Sequence, residues 1–426
     1  MRNLISKFVD VRSDVELKGL MWSIAYGFLI MSSYYILRAV RDEIGASDSR
    51  NLQLLWTAVF FVMLLAVPLY SWVASRMSRG VFVPLANRFF IACLVAFWLC
   101  LVLLPETARP WIDRVFYVWV SVFALFVVTV FWGFMADCFS NEQGKRLFAT
   151  IAVGSSIGAM LGSTITAALA TIVPVFALLL IACVPLELAS WCALVLHRRF
   201  ATGDVKTEGE SNKAIEGNAW SGMKAVFSSK YLMGIAAFIA VMTFVSTVLY
   251  FQQSTLIYEG IPDRGERREL LAKMDWVVNF LTILFQVYLT ARIVKWLGVG
   301  LTLAIVPVAM TAGFVTLGLY PTLAVLVVVQ VIYRAGRYGL TKPAREMLWT
   351  VLGREDKYKA KPFLDAAVYR GGDLVSGWIY TGLAAVGLSI GAIALVSAPV
   401  AGIWALLAFR LGKQEEELAN VQGDSK

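Results

Sequence analysis

Runs of about 20 apolar residues, parted by short polar segments, recur twelve times along the chain, a pattern that predicts twelve membrane-spanning helices. In the first half the expected spans are 18–39, 52–75, 81–104, 111–137, 148–172 and 174–197. The second half gives 231–257, 274–297, 298–320, 321–343, 363–387 and 388–411. Between them, residues 198–230 carry RRFATGDVKTEGESNK, the longest hydrophilic stretch. The expected organisation is a six-helix bundle over 1–197, a cytoplasmic linker over 198–230, a second six-helix bundle over 231–411 and a cytoplasmic tail over 412–426. A transmembrane β-barrel would show short alternating segments instead. The predicted class is all-α and polytopic.

Composition agrees. Of 426 residues 59% are apolar and 16% charged, where a soluble domain has about 25% charged. The net charge of +9 would suggest a nucleic-acid partner in a soluble protein. Here the lipid bilayer is the expected partner and nucleic acid is not, because basic residues gather in cytoplasmic loops. With the N-terminus inside, eight of the 38 basic residues fall outside (Arg41, Arg50, Arg109, Arg114, Arg264, Arg267, Arg268 and Lys273) and five lie within spans. Both termini are then cytoplasmic. The first 17 residues are mixed polar with no signal-peptide pattern, which points to a bacterial inner membrane. The five cysteines lack metal or disulfide spacing and read as small core residues; no metal and no cofactor is expected.

An ionised side chain inside a span is costly and marks function by default. Three clusters qualify. In SSYYILRAVRDEIG, Tyr34, Arg38 and Arg41 share a helical face, and Asp42 stands one turn after Arg38. Interfacial anchoring of the two arginines beside an aromatic belt is the alternative. In VVVQVIYRAGRYGLTKPAREM, Gln330, Arg334, Arg337 and Thr341 form a polar stripe, with Tyr333 and Tyr338 alongside. Guanidinium offers planar, bidentate bonding suited to carboxylate or phosphate; a permanent ion pair with another span is the alternative. In FLDAAVYRGGDLVSG, Asp365, Tyr369 and Asp373 share a face, and Arg370 can pair with Asp373. Arg88 and Glu187 are isolated charges that can pair with each other. Trp132 of the fourth span can stack on a planar ring, and span seven adds Ser246, Thr247, Tyr250, Gln252 and Gln253. The arginines of spans one and ten are expected to face a shared cavity.

Six spans, a basic linker and six more spans is the layout of the major facilitator superfamily, in which the two halves are parallel repeats with the site at their interface. The loop SWVASRMSRG after span two resembles that superfamily's basic loop, with Arg76 and Arg79 where a cytoplasmic gate is expected. Gly154, Gly158 and Gly162 make a ridge on span five that lets another helix approach. Three segments resemble the ATP/ADP translocases of obligate intracellular bacteria and plastids. They are YYILRAVRDEIG, then FWGFMADCFSNEQGKRLFATIAVGSSIGAMLG, then TKPAREMLWTVLGREDKYKAKPFLDAAVYRGGD. The resemblance implies a functional basic residue at Arg41, loop charges at Lys145, Arg146, Glu346 and Lys361, and a span-eleven acid and base at Asp365 and Arg370. Where the family's ATP carriers have a lysine three residues after that arginine, this chain has Asp373.

The expected function is secondary transport of an anionic, nucleotide-like or phosphorylated solute by alternating access, as an antiporter or coupled to protons, by a monomer that is not an enzyme. Tyr34, Arg38, Arg41, Trp132, Gln330, Tyr333, Arg334, Arg337 and Arg370 are the candidate solute contacts. Asp42, Arg76, Arg79, Lys145, Arg146, Glu187, Asp365 and Asp373 are candidates for gating or coupling. A transporter of another organic anion (a dicarboxylate, peptide or metal chelator) is one alternative, and a non-transporting membrane receptor is another. No Walker loop, HExxH or GxSxG motif is present.

Overall fold

A computed structural model describes residues 12–77, 79–139, 141–200, 219–352, 360–361 and 363–424. Among them every regular element is helical. The helices are α1 (Asp14–Ser47), α2 (Leu52–Arg76), α3 (Arg79–Leu103), α4 (Arg109–Cys138), α5 (Asn141–Leu169), α6 (Val175–Phe200) and the short α7 (Ala219–Ser228). After them come α8 (Lys230–Gly260), α9 (Arg264–Leu284), α10 (Thr290–Leu319), α11 (Leu323–Gly336), α12 (Lys342–Met347), α13 (Tyr369–Ala385) and α14 (Ile390–Asp424).

Among the described residues ten helices are long and apolar enough to cross a membrane. Ten such helices accommodate the twelve expected spans, for two physical reasons. Residues 264–319 form one continuous run of 56 residues, far longer than the roughly 20 that one crossing needs. The run breaks at Gly298, whose φ of 73° only glycine adopts without strain, so spans eight and nine join there without a loop. Span eleven begins as a π-helical turn (Leu364–Val368) and continues as α13, which has only 17 residues. Two expected polar segments are also partly helical: α7 occupies the end of the linker, and α14 carries the tail to Asp424. The central linker residues 201–218 lie outside the described residues.

The chain divides into two compact units. Unit 1 holds residues 1–48, 61–205 and 261–279, thus α1, most of α2, α3 to α6 and the first part of α9. Lipid offers no hydrophobic gain for helix pairing, so close packing and polar contacts must hold helices together. The ridge on α5 supplies this. A Cβ at Gly158 would lie 2.0 Å from the Phe28 carbonyl oxygen of α1, and one at Gly162 2.3 Å from that of Ser32. Because the backbones approach so closely, Ser32 Oγ donates to the Gly158 carbonyl at 2.9 Å. Ser33 Oγ donates to the Ala182 carbonyl of α6 at 2.8 Å. Tyr26, Phe123 and Phe131, all fully buried, fill the core beside them.

Unit 2 holds residues 49–60, 206–260 and 280–426. There α10 and α14 cross at glycines; a Cβ on Gly412 would lie 2.0 Å from Gly300 Cα. Buried Trp404 of α14 packs against Phe238 of α8 and Tyr333 of α11, with ring centroids 5.6 and 6.5 Å apart. Among the described residues three π-helical turns interrupt the second half, at Phe285–Leu289, Arg337–Thr341 and Leu364–Val368. Such turns each insert one extra residue and re-aim the side chains beyond them.

Candidate functional site

Two constellations emerge, one in each unit. In unit 1 the C-terminal end of α1 carries Arg38, Arg41, Asp42 and Glu43. Arg38 Nε lies 3.5 Å from Asp42 Oδ2 and 3.3 Å from Asp275 Oδ2 of α9. Arg41 donates from Nε and Nη2 to Asp42 Oδ1 at 2.9 and 2.6 Å. Glu43 is fully buried and accepts from Arg264 Nε at 2.7 Å and Nη2 at 3.1 Å. Arg268 Nη1 stands 3.6 Å from the same carboxylate, and Arg264 also donates to Asp113 Oδ2 at 2.8 Å. Arg114 of α4 pairs with Asp48 at 2.7 Å. The logic is mutual neutralisation: a charge taken from water demands an opposite charge with good geometry, and here arginines and carboxylates alternate. Arg267 and Arg268, expected in an outer loop, are instead buried in the first turns of α9.

Tyr34 stacks edge-on with Tyr35 at 5.3 Å, and Tyr35 lies under the Arg38 guanidinium at 5.3 Å. Trp132 sits against Phe131 and Phe148, with centroids 5.1 and 5.6 Å away. Arg146 pairs with buried Glu16 at the other end of α1, at 2.7 Å. Arg76 ends α2 and is exposed. The side chains of Arg79 and Lys145 lie outside the described residues. Arg88 and Glu187 pair at 2.9 Å, but with side chains 55% and 49% exposed they are on the surface of the unit, not hidden within it.

In unit 2 the π-helical turn that starts at Arg337 re-aims the expected stripe beyond it, at Tyr338 and Thr341. Gln330 turns to α8, where its Nε2 donates to Gln253 Oε1 at 2.8 Å, both residues being buried. Arg334 is buried one turn on. Arg337, two turns beyond Gln330, lies among tyrosines, of which Tyr333 also reaches the Met242 carbonyl of α8 at 3.4 Å. Its guanidinium carbon lies 5.4 Å from the centre of the Tyr369 ring and 5.8 Å from those of Tyr333 and Tyr338. It donates to the hydroxyls of Tyr333 (3.4 Å) and Tyr369. Among the described residues no carboxylate lies within ion-pair distance of Arg337, whereas its neighbours on the next helix are paired: Arg370 with Asp373 at 3.8 Å, and Asp365 with Arg345 at 3.4 Å. Lys361 pairs with Glu346. Cation–π contacts and hydroxyl acceptors make a cage around Arg337, and Asp373, paired with Arg370, also acts on it electrostatically from beyond ion-pair distance.

Sequence reasoning passes over Asp275, Glu43, Asp113 and Arg264, which complete the unit 1 cluster. The signal is present in RGERRE followed by Asp275 within an apolar run. Tyr369 enters the sequence pattern only through the face it shares with Asp365.

No protein-family model matches this sequence, and no curated protein matches it. Solved structures do resemble it in fold. A POT family transporter in complex with 5-aminolevulinic acid superposes with a TM-score of 0.66 at 12% identity, over 93% of this chain and 96% of the other. The xylose transporter XylE from E. coli, in an inward-open conformation, gives 0.66 at 14% identity over 95% and 99%. A mutant of the nucleoside transporter NupG gives 0.57 at 13% identity over 95% and 100%. The chain is an all-α, multi-pass membrane protein with the major facilitator fold that these transporters share.

Proposed function

We propose that the chain is a secondary transporter of an anionic solute, nucleotide-like or phosphorylated, in a bacterial inner membrane with both termini cytoplasmic. The observation that carries this reading is Arg337, a guanidinium in the membrane-spanning part of unit 2 ringed by Tyr333, Tyr338 and Tyr369, with no carboxylate at ion-pair distance among the described residues. Hydrogen bonds to a charged group contribute about 1.5–3 kcal/mol each, and a nucleobase stacked on an aromatic ring about 1–3 kcal/mol. One arginine beside three phenol rings therefore suits a solute with an anionic group and a planar ring. Arg334 and Gln330 on α11 and Arg370 on α13 are further candidate contacts. Asp373, paired with Arg370, is the candidate for proton coupling; exchange requires no such group. Arg38 and Arg41 are held by Asp42 and Asp275 and would meet a solute only after those carboxylates release them. The three ATP/ADP translocase-like segments support the nucleotide assignment, and the transport of varied small solutes by proteins of this fold supports transport.

A second reading keeps the transport and changes the cargo to a carboxylate-bearing anion, since guanidinium binds carboxylate as well as phosphate. A fold relative solved with 5-aminolevulinic acid favours keeping it.

Counterflow tests both. Proteoliposomes loaded with unlabelled ATP or with unlabelled succinate are offered radiolabelled ATP outside. Accelerated entry with internal ATP alone supports the nucleotide reading. Labelled succinate driven by internal succinate, with no ATP entry, supports the second. No counterflow of any anion removes the proposal.

A further inference from the structure

The pair Arg88 and Glu187 has an unusual setting. Arg88 Nη2 donates to Glu187 Oε1 at 2.9 Å, and its Nε reaches both carboxylate oxygens at 3.4 Å. Arg88 is the tenth residue of α3 and Glu187 the thirteenth of α6, so at 1.5 Å per residue they lie roughly 14 and 18 Å from the starts of those helices. Across a hydrocarbon core about 30 Å thick, that is near mid-depth. The side chains around them are exposed and apolar: Leu85 and Phe89 on α3, and Val184 and Leu188 on α6, at 52%, 60%, 62% and 47%. A face of this composition is a lipid-facing one, not the wall of a water-filled chamber. Yet the pair at its centre is half exposed, and among the described residues Arg88 Nη1 has no hydrogen-bond partner. Ionic groups at this depth cost several kcal/mol unless something polar covers them.

We propose that this face is the interface of a homodimer in which Arg88 of each copy meets Glu187 of the other. The patch is its own electrical complement, one positive and one negative group. The two groups touch, so they share one depth in the bilayer. A two-fold axis along the membrane normal then brings Arg88 of one copy opposite Glu187 of the second at that same depth, which is the self-complementary geometry of an isologous contact. The four charges close a square in which each guanidinium gains a second carboxylate. Leu85, Phe89, Val184 and Leu188 surround the square and pack against their counterparts.

The test counts subunits of the full-length protein, fluorescently labelled and diluted over a range of lipid-to-protein ratios, by single-molecule photobleaching. Wild type is expected to be dimeric at densities where R88L/E187L, which keeps the apolar face and removes the charges, is mostly monomeric, with association weakened tenfold or more. R88E alone and E187R alone are each expected to be monomeric, and an equal mixture of the two to form mixed dimers, a rescue that misfolded chains cannot give. Wild type monomeric at every density, or R88L/E187L dimerising as wild type does, overturns the proposal. So does a monomer that keeps a tightly bound anionic lipid lost in R88L/E187L, or a different membrane protein co-purifying on this face in place of the second copy.

Discussion

Arg38 Nε and Asp275 Oδ2 lie 3.3 Å apart, joining the C-terminal part of α1 to the middle of α9 inside unit 1. Neither position announces the other in the sequence, and the Asp275 side chain is only 2% exposed. Without Asp275, Arg38 keeps, among the described residues, only the Asp42 carboxylate, which Arg41 also holds, and the loss approaches that of breaking a buried pair, about 3–5 kcal/mol. D275A should therefore lower thermal stability strongly, whereas R38A/D275A should recover part of the loss. A double-mutant cycle of unfolding free energies checks this: purely additive losses would mean the two groups do not interact.

Gly158 meets the Phe28 carbonyl so closely that a methyl group has no room. G158A is expected to destabilise unit 1 by about 1–3 kcal/mol, the usual cost of overpacking. Gly371 and Gly382 have nothing within 4 Å of an added Cβ, so G371A and G382A should be near neutral. Melting curves of the three variants in one detergent give the comparison, and equal behaviour would contradict the close approach of α1 and α5.

Between two buried amides, Gln330 Nε2 donates to Gln253 Oε1 at 2.8 Å, while Gln330 Oε1 has no partner among the described residues. Q253L leaves the Gln330 amide unpaired in a dry environment and should cost about 1–3 kcal/mol. Q253L/Q330L removes both groups and should be closer to wild type than either single variant. A double variant worse than both singles would argue against this bond.

How much of the fold is legible in the sequence depends on the solvent. A bilayer demands long apolar runs, so the helices and their approximate ends can be read directly, as can the four-residue glycine spacing that lets α5 meet α1. The Arg88–Glu187 pairing is also readable, because both charges stand alone in apolar runs. Three things are hidden. The break at Gly298 leaves no polar loop to read. Arg264 and Arg268 look like loop charges until Glu43, buried on α1, is seen to need them. The π-helical turns at Arg337–Thr341 and Leu364–Val368 shift the helical register beyond them, so Thr341 leaves the stripe that 3.6-residue periodicity draws, and Tyr369, just past the second turn, comes onto Arg337.

The most direct test of the central assignment is thermal stabilisation by ATP in wild type and in R337A and R337K, each first shown to be monodisperse and folded. A solute held by Arg337 raises the melting temperature by mass action. The account predicts a clear ATP-dependent rise in wild type, none in R337A, and in R337K a rise that needs tenfold or more ATP because lysine lacks the planar fork. An ATP-dependent rise of the same size and midpoint in R337A and wild type would contradict it.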